Sequence, residues 1–589
     1  MAPPVPPPPP PTGEFFRAPR ERSHALLLAL VLLAFFAAAL PQCADLSRYH
    51  GDERFYTDAA LSMRESGDWL TPRFADGSAR FNKPMLAYWL IGASTELFGT
   101  SPLAARLPFL LAGVVILAAT ARLARALFGG GLAPLFAAFL LGSSPEFLQL
   151  VTRTTPDALL AAGVALSLAG AAELAFAGTD AGASRASRAA AWLFLGGAGV
   201  ALLAKGGLGL LVPAFGLAWI AARRGRAGLR DALRPGASAL FLVLALATVL
   251  PLLHAGGSAG LAKTLDDQVA SRFADSIAMV ADNVATYLQC VVRHLLPWSA
   301  LALAALVLAR RRVAAWARER RGELLFATLW YLVLLAVFAA ANIQRARYLL
   351  PAYPAVAALV AGVASAGFAS ALGARSLRWT SIALAVVALF GAAGLAWAGA
   401  RLDAASISAA FALVVAALGL ALVVLRVPRE DAPLGAPTAA CALLLVALPL
   451  GERALRTGFD AAPAEELAQR LLELGAREKD VACVGGEAAV ASQMRLLAGG
   501  ALDPTWTKDA SGVAGTSARF VVLAPESDET AVRAALAPRA VARVEDRGFD
   551  YAKWRASDVR TVLAAEDAPG ALRARRRAFR ILVLDDATR

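Results

Sequence analysis

The sequence predicts an α-helical polytopic membrane protein with about 13 transmembrane helices and a small C-terminal α/β domain on the outer side. Three observations predict it. The 589 residues are 58% hydrophobic and only 17% charged, which is more apolar surface than a soluble domain can bury. Long apolar runs recur between Ala25 and Leu450. From about Phe459 the composition changes to that of a soluble domain.

Charge placement orients the chain. The net charge of +13 comes largely from arginines at the ends of apolar runs, the positive-inside pattern. No stripe of basic and aromatic residues marks a nucleic-acid site, so nucleic-acid binding is excluded. The four cysteines form no close-spaced motif, which excludes a zinc knuckle or a disulfide framework.

The elements follow in order. Residues 1–23 form a proline-rich, disordered cytoplasmic tail. Residues 24–458 form the transmembrane domain, with outer loops at 41–102 and 255–289. Its first span is Ala25–Leu40, read as uncleaved, although Ala37-Ala38-Ala39 resembles a signal-peptide cleavage site. The run Pro84–Phe98 is short for a span. If it crossed, every later arginine-rich loop would lie outside, so it is read as an interfacial or re-entrant helix. The remaining spans are Leu103–Phe128, Pro134–Leu150, Asp157–Ala177, Ala189–Leu203, Gly206–Ala222, Ala239–His254, Cys290–Ala309, Leu324–Ala341, Tyr348–Leu372, Ser381–Gly399, Ser406–Leu425 and Thr438–Leu450. Their many Ala and Gly residues suit close helix packing. Residues 459–589 form the outer α/β domain. Ala464–Leu474 has a helical apolar period, and Val481–Val484, Phe520–Leu523 and Phe579–Leu584 read as strands. Gly485-Gly486 is too little to mark a nucleotide site.

On this topology the outer face collects ionisable groups that are costly beside a bilayer unless they serve chemistry or a charged ligand. Asp52, Glu53 and Arg54 lie in the first loop, and Lys83 heads the interfacial helix. Arg153 and Asp157 lie in Thr152-Arg153-Thr154-Thr155-Pro156-Asp157. Lys205 sits between two apolar runs, where a bound phosphate would offset its cost. Arg345, Arg347 and Tyr348 complete the set. Carboxylates and cations facing one compartment suit group transfer from a phosphate-bearing lipid. The cations hold the leaving phosphate, and a carboxylate takes a proton from an incoming hydroxyl. The candidate catalytic residues are Asp52, Glu53 and Asp157. The candidate donor-binding residues are Arg54, Lys83, Lys205, Arg345, Arg347 and Tyr348. Each also has a plainer reading, the acids as helix caps and the cations as interface anchors.

The order of short motifs resembles the aminoarabinose transferase (ArnT) family, itself related to protein O-mannosyltransferases. Those motifs are Asp52-Glu53, Gly67-Asp68-Trp69-Leu70-Thr71-Pro72, Asn82-Lys83-Pro84, Tyr88-Trp89 and Ala105-Arg106-Leu107-Pro108. Thr155-Pro156-Asp157, Leu203-Ala204-Lys205-Gly206 and Arg347-Tyr348-Leu349-Leu350-Pro351 follow in the same order. The resemblance covers about residues 25 to 360. It implies a GT-C glycosyltransferase of the bacterial inner membrane, with catalytic loops and the C-terminal domain in the periplasm. The implied donor is a sugar on undecaprenyl phosphate. The implied acceptor is lipid A, another envelope glycan or a protein. Asp52 resembles the family's essential first-loop carboxylate, Lys83 its phosphate-binding lysine and Asp157 its second acidic position. Three positions depart. Phe55 replaces an arginine, with Arg54 beside it; Met85 replaces a second proline; Asn82 replaces a glutamate that can help hold a divalent ion. The cofactor is therefore left open, and no metal ligands are assigned. Two rival classes remain, a polyprenyl-lipid transporter or flippase and a membrane scaffold. The first calls for structural repeats and mid-bilayer charges, which the sequence does not show. The second leaves the charged loops without a role.

Overall fold

A computed structural model describes residues 21–46, 49–73, 78–81, 83–130, 133–176, 183–268, 277–296, 298–342, 344–368, 390, 393, 397 and 463–585, less 487, 538, 552–560 and 563. The transmembrane part opens with α1 (Glu21–Ala44). Helices α2 (Arg54–Ser66), α3 (Leu86–Phe98) and α4 (Pro102–Phe128) follow in that order. Helix α3 has 13 residues, too few to cross a bilayer, in keeping with its reading as a non-spanning segment. Helix α4 starts where its sequence says it should. Ser101 caps it by accepting a bond from the Ala104 N–H, and Pro102 occupies the first turn.

The run Pro134–Leu150, expected as one straight span, is broken. Helices α5 (Ala133–Gly142) and α6 (Pro145–Val151) meet at 71°. The cause is local: Ser144 caps a new helix, its Oγ accepting from Phe147 N, and Pro145 follows. After the turn at 152–155, α7 (Pro156–Phe176) and α8 (Ala183–Lys205) pack backbone to backbone. A Cβ on Gly163 would lie 2.6 Å from the Gly197 carbonyl oxygen, and one on Gly170 would lie 2.5 Å from that of Ala190. Only glycine admits this approach, the small-residue packing of membrane helices.

Helix α9 (Leu211–Ala232) returns alongside α8, so that Gly216 meets the Phe194 ring. The chain turns through a 3₁₀ segment, Gly206–Leu210. Gly206 takes a φ of 64°, and a Cβ on Gly209 would lie 2.2 Å from Leu202 N. Lys205 ends α8 at this turn.

Helix α10 (Pro235–Gln268) and α11 (Ile277–His294) then follow. The expected outer loop 255–289 is helical over most of its described residues. The expected span Cys290–Ala309 is not one straight helix. It divides between α11 and α12 (Trp298–Leu308), bent by 97°. Helices α13 (Arg310–Glu319), α14 (Arg321–Ala339) and α15 (Tyr353–Phe368) complete this part, and a 3₁₀ segment, Ala346–Ala352, precedes α15. Among the described residues, six helical stretches are long and apolar enough to span, or eight if each bent pair counts once. The stretch Ser187–Ala232 contains the α8–α9 turn. The expected spans Ser381–Gly399, Ser406–Leu425 and Thr438–Leu450 lie outside the described residues, apart from three positions in the first.

The C-terminal part is an α/β unit. It runs α16 (Pro463–Glu473), β1 (Val481–Val484), α17 (Ala489–Leu497), β2 (Thr505–Thr507), β3 (Phe520–Leu523), α18 (Glu529–Leu536), β4 (Val541–Tyr551), α19 (Ala568–Arg573) and β5 (Arg576–Leu584). The sheet order is β2-β1-β3-β5-β4. Strand β1 pairs in parallel with β2 and β3, and β5 pairs antiparallel with β3 and β4. The three strands read from the sequence are present, because each has a buried apolar run. Strands β2 and β4 escaped notice. Strand β2 has three residues, and β4 carries Arg543, Glu545, Asp546 and Arg547 on an edge, where charge guards against stray pairing.

Candidate active site

The site begins at the turn between α1 and α2. Asp52 and Glu53 are neighbours there, yet their surroundings differ completely. Glu53 is fully buried. Its Oε2 accepts from Arg106 Nε at 2.9 Å and its Oε1 from Arg106 Nη2 at 2.9 Å, a bidentate pair. It also accepts from His50 N at 2.9 Å and Thr154 N at 3.1 Å. Arg106 is itself buried and donates to the Asp45 carbonyl at 2.6 Å. The pair thus ties the first loop to α4 and to the turn before α7. Glu53, expected from the sequence as a catalytic acid or base, thus sits in a buried ion pair with both oxygens bonded.

Asp52 is half-exposed instead. Arg347 Nη2 donates to its Oδ2 at 2.5 Å, across 295 residues of sequence. Arg347 Nε lies 3.6 Å from Asp157 Oδ2, and Lys205 Nζ donates to Asp157 Oδ1 at 2.5 Å. The Lys205 ammonium stands 4.2 Å above the Tyr348 ring. Five sequence-predicted residues from four separate segments therefore form one continuous network. Asp52 comes from a loop, Asp157 from the first turn of α7, Lys205 from the end of α8, and Arg347 and Tyr348 from the 3₁₀ segment before α15. Asp157 is well placed by the positive end of its helix dipole.

Lys83 and Arg345 border this network. Pro84 Cγ lies 3.7 Å from the Cβ position of Gly206, which brings the Lys83-Pro84 pair beside Lys205. Arg345 is exposed, and its charge acts on Asp52. Arg54 departs from expectation. Its guanidinium covers the Phe55 ring at 4.2 Å and lies 5.9 Å from the Trp506 ring of β2. It faces the C-terminal domain, apart from the Asp52–Asp157 network that the other expected donor-binding residues join or border.

The electrostatics keep Asp52 ionised. Burial pushes its carboxyl up, but the Arg347 hydrogen bond and charge outweigh it, and the net shift is downward. His50 is held below its ordinary value by burial first, then by Arg153 and Arg347. Its Nδ1 accepts from Asp52 N at 3.1 Å, which a neutral ring can do. The limb that Asp52 contributes to a rate–pH profile is therefore expected below the ordinary aspartate value of about 4. A single limb near pH 6 to 7 that Asp52→Asn leaves in place would assign the base elsewhere.

Arg106, His50 and Arg153 are the site neighbours that the sequence did not assign. Arg106 stood only within a short motif, and His50 lay just outside the Asp52-Glu53 pair. Arg153 was visible beside Asp157, and its Nε is buried without a hydrogen-bond partner. No group of three or more His, Cys, Asp or Glu side chains suited to a metal occurs among the described residues. Asp52 and Asp157 are engaged with Arg347 and Lys205, so this donor set does not fit a metal centre as it stands. Asn82 lies outside the described residues.

Comparison with known proteins agrees with this architecture. The family described as dolichyl-phosphate-mannose-protein mannosyltransferase matches residues 82–254. A protein of Aquifex aeolicus strain VF5 is 27% identical over 344 residues, covering 57% of this chain and 64% of its own length. The undecaprenyl phosphate-alpha-4-amino-4-deoxy-L-arabinose arabinosyl transferase of Pseudomonas aeruginosa strain UCBPP-PA14 is 29% identical over 328 residues, 55% of this chain and 57% of the relative. The matches thus span roughly three-fifths of the length of these relatives. Among solved structures, ArnT from Cupriavidus metallidurans bound to undecaprenyl phosphate superposes with a TM-score of 0.66 at 19% identity, covering 97% of this chain and 99% of that one. Its apo state gives 0.65 at 21% identity over 90% and 96%. The chain thus has the fold of the solved ArnT structures. Over a little more than half its length its sequence is similar to the arabinosyl transferases.

Proposed function

We propose that the protein is a membrane glycosyltransferase that moves a sugar from a polyprenyl-phosphate donor to an acceptor hydroxyl on the periplasmic face of the bacterial inner membrane. The acceptor is lipid A, another envelope glycan or a protein. The observation that carries this reading is the convergence of Asp52, Arg347, Asp157 and Lys205 into one network. The names of the relatives and the lipid bound in the solved ArnT structure support it.

The chemistry follows from the charges. The acceptor oxygen forms a bond to the anomeric carbon while the bond from that carbon to the phosphate oxygen breaks. The acceptor proton goes to Asp52, and the leaving polyprenyl phosphate takes the electron pair. Lys205, Arg347 and Lys83, with Arg345 at the rim, stabilise the charge gathering on that phosphate. Asp157 holds Arg347 and Lys205 in place, a positioning role. A phosphate arriving beside Arg347 draws its guanidinium away from Asp52 and frees a lone pair for the incoming hydroxyl. Tyr348 supports Lys205 from below its ammonium. No step here requires a divalent ion.

Lys83→Ala is expected to weaken undecaprenyl phosphate binding at least tenfold, as befits loss of a charge-assisted contact. Lys83→Arg restores it only in part, because a planar fork does not replace a point charge. Binding titrations on the purified chain decide this, and undiminished binding by Lys83→Ala would make Lys83 an interface anchor. Comparing envelope lipids and glycans by mass spectrometry, with and without the protein, tests the transfer itself. An unchanged profile under conditions of expression would count against the transferase reading. An alkaline phosphatase fusion after Arg589 tests the side of the C-terminal domain, with an active reporter expected.

A further inference from the structure

The turn that carries Asp52 is held from outside the membrane domain. Ser492, on α17 of the C-terminal unit, is 3% exposed and contacts both flanks of that turn. Its Oγ donates to Asp58 Oδ1 at 2.7 Å, on the α2 side. On the other side it lies 2.7 Å from the Tyr49 hydroxyl. The Ser492 hydroxyl has one proton and gives it to the carboxylate, so Tyr49 must donate to Ser492. The chain of bonds is directed, from Tyr49 through Ser492 to Asp58.

The same cluster reaches the active-site backbone. Thr57 Oγ1 lies 3.1 Å from the Tyr49 hydroxyl and donates to the Glu53 carbonyl at 3.1 Å. Arg106, which holds the Glu53 carboxylate, lies 5.7 Å above the Tyr49 ring. One helical turn beyond Ser492, Arg495 is buried and donates to Glu65 near the end of α2, at 2.6 and 2.7 Å. Leu496 is buried in the same apolar core as the membrane helices. Helix α17 is therefore seated on α2 along two turns, with polar bonds that a loosely tethered domain would not make.

We propose that Ser492 is a positioning residue for transfer: through Tyr49 and Asp58 it fixes the turn that presents Asp52 to Arg347. The inference rests on the reading of Asp52 as the base. The C-terminal unit thereby acts as part of the active-site scaffold and not only as an appended module. Without the hydroxyl, the Asp58 carboxylate loses its donor and Tyr49 loses its acceptor, and the turn gains freedom on both sides at once.

Asp58 gives an independent handle. Burial pushes its carboxyl up to about 6, against the Ser492 bond and the charges of Arg495 and Arg54, with Asp503 adding to the rise. The folded form thus keeps its proton to a higher pH than the unfolded form. The stability contributed is full below about pH 4 and is lost as pH rises through about 6. Asp58→Asn is expected to flatten that window.

The test uses hydrogen exchange on the full-length, detergent-solubilised chain, with no substrate needed. In Ser492→Ala, exchange across residues 49–57 is expected to rise about tenfold, while β1 and β3 stay protected. Ser492→Thr, which keeps a hydroxyl, is expected to restore protection. Turnover of an undecaprenyl-phosphate-linked sugar should then show a lower kcat in Ser492→Ala with the donor KM unchanged. Unaltered exchange in a folded Ser492→Ala, or loss of donor KM alone, overturns the proposal. If Ser492→Ala does not fold, the pair Thr57→Cys and Ser492→Cys replaces it, since the two native oxygens lie 3.4 Å apart. Diamide oxidation is expected to quench exchange in the turn and raise kcat over the reduced form, and equal values in both states overturn the proposal. Wild-type chain that neither binds undecaprenyl phosphate nor transfers sugar, yet shows the exchange response, would sink the functional reading and not the tether.

Discussion

Asp52→Asn is expected to abolish sugar transfer while leaving undecaprenyl phosphate binding nearly intact. The exchange keeps the size of the side chain and an oxygen for Arg347 to bond at 2.5 Å. It removes the negative charge that receives the acceptor proton. Loss of a general base lowers rates on the order of 100- to 10,000-fold. A helix cap would not report this change, since asparagine caps as well as aspartate. Single-turnover kinetics with a preloaded donor separates the two effects. Wild-type turnover in Asp52→Asn would leave Asp52 with only its bond to Arg347 and would send the search for a base to Asp157.

The largest expected loss of stability is in Arg106→Ala. This change removes the partner of a carboxylate that is 0% exposed. Glu53 would keep bonds from His50 N and Thr154 N but would hold an uncompensated buried charge. Removing one member of such a pair costs about 3–5 kcal/mol. The chain is expected to lose heat resistance and yield, and Glu53→Gln in the Arg106→Ala background should recover part of both by removing the charge. Thermal unfolding in detergent measures this. Arg106→Ala with unchanged unfolding and wild-type turnover would show that the pair is neither structural nor functional.

Much of this site was legible in the sequence, for a physical reason. Asp52, Asp157, Lys205 and Arg347 are charges at the ends of apolar runs, where desolvation makes each one conspicuous. The sequence could list them, but it could not show that Asp157 lies between Lys205 and Arg347. Glu53 and Asp52 looked equivalent because they are adjacent. Their separation into a buried tie and a half-exposed acid depends on Arg106, 53 positions from Glu53. Arg54 was drawn toward the phosphate by proximity in sequence, but as the first residue of α2 it turns to Phe55 and Trp506. The two bent helix pairs were missed because hydropathy is blind to direction. An apolar run of span length reads the same whether it is straight or folded, and only Ser144-Pro145 hinted at the break. The contact of Ser492 with Tyr49 was beyond reach, since 443 residues separate a serine and a tyrosine of ordinary appearance.

The glycine contacts between α7 and α8 bear on how the protein could move. With backbone against backbone at Gly163 and Gly170, the two helices have no side-chain layer to slide upon. Asp157 begins one of them and Lys205 ends the other. Their spacing is thus fixed as on a single casting, and a ligand cannot alter it without unpacking the helices. Adjustment to different head groups falls to the segment bearing Arg347. A substrate therefore meets one immovable wall and one compliant wall. Variation among relatives in which sugar is accepted should be sought on the compliant side.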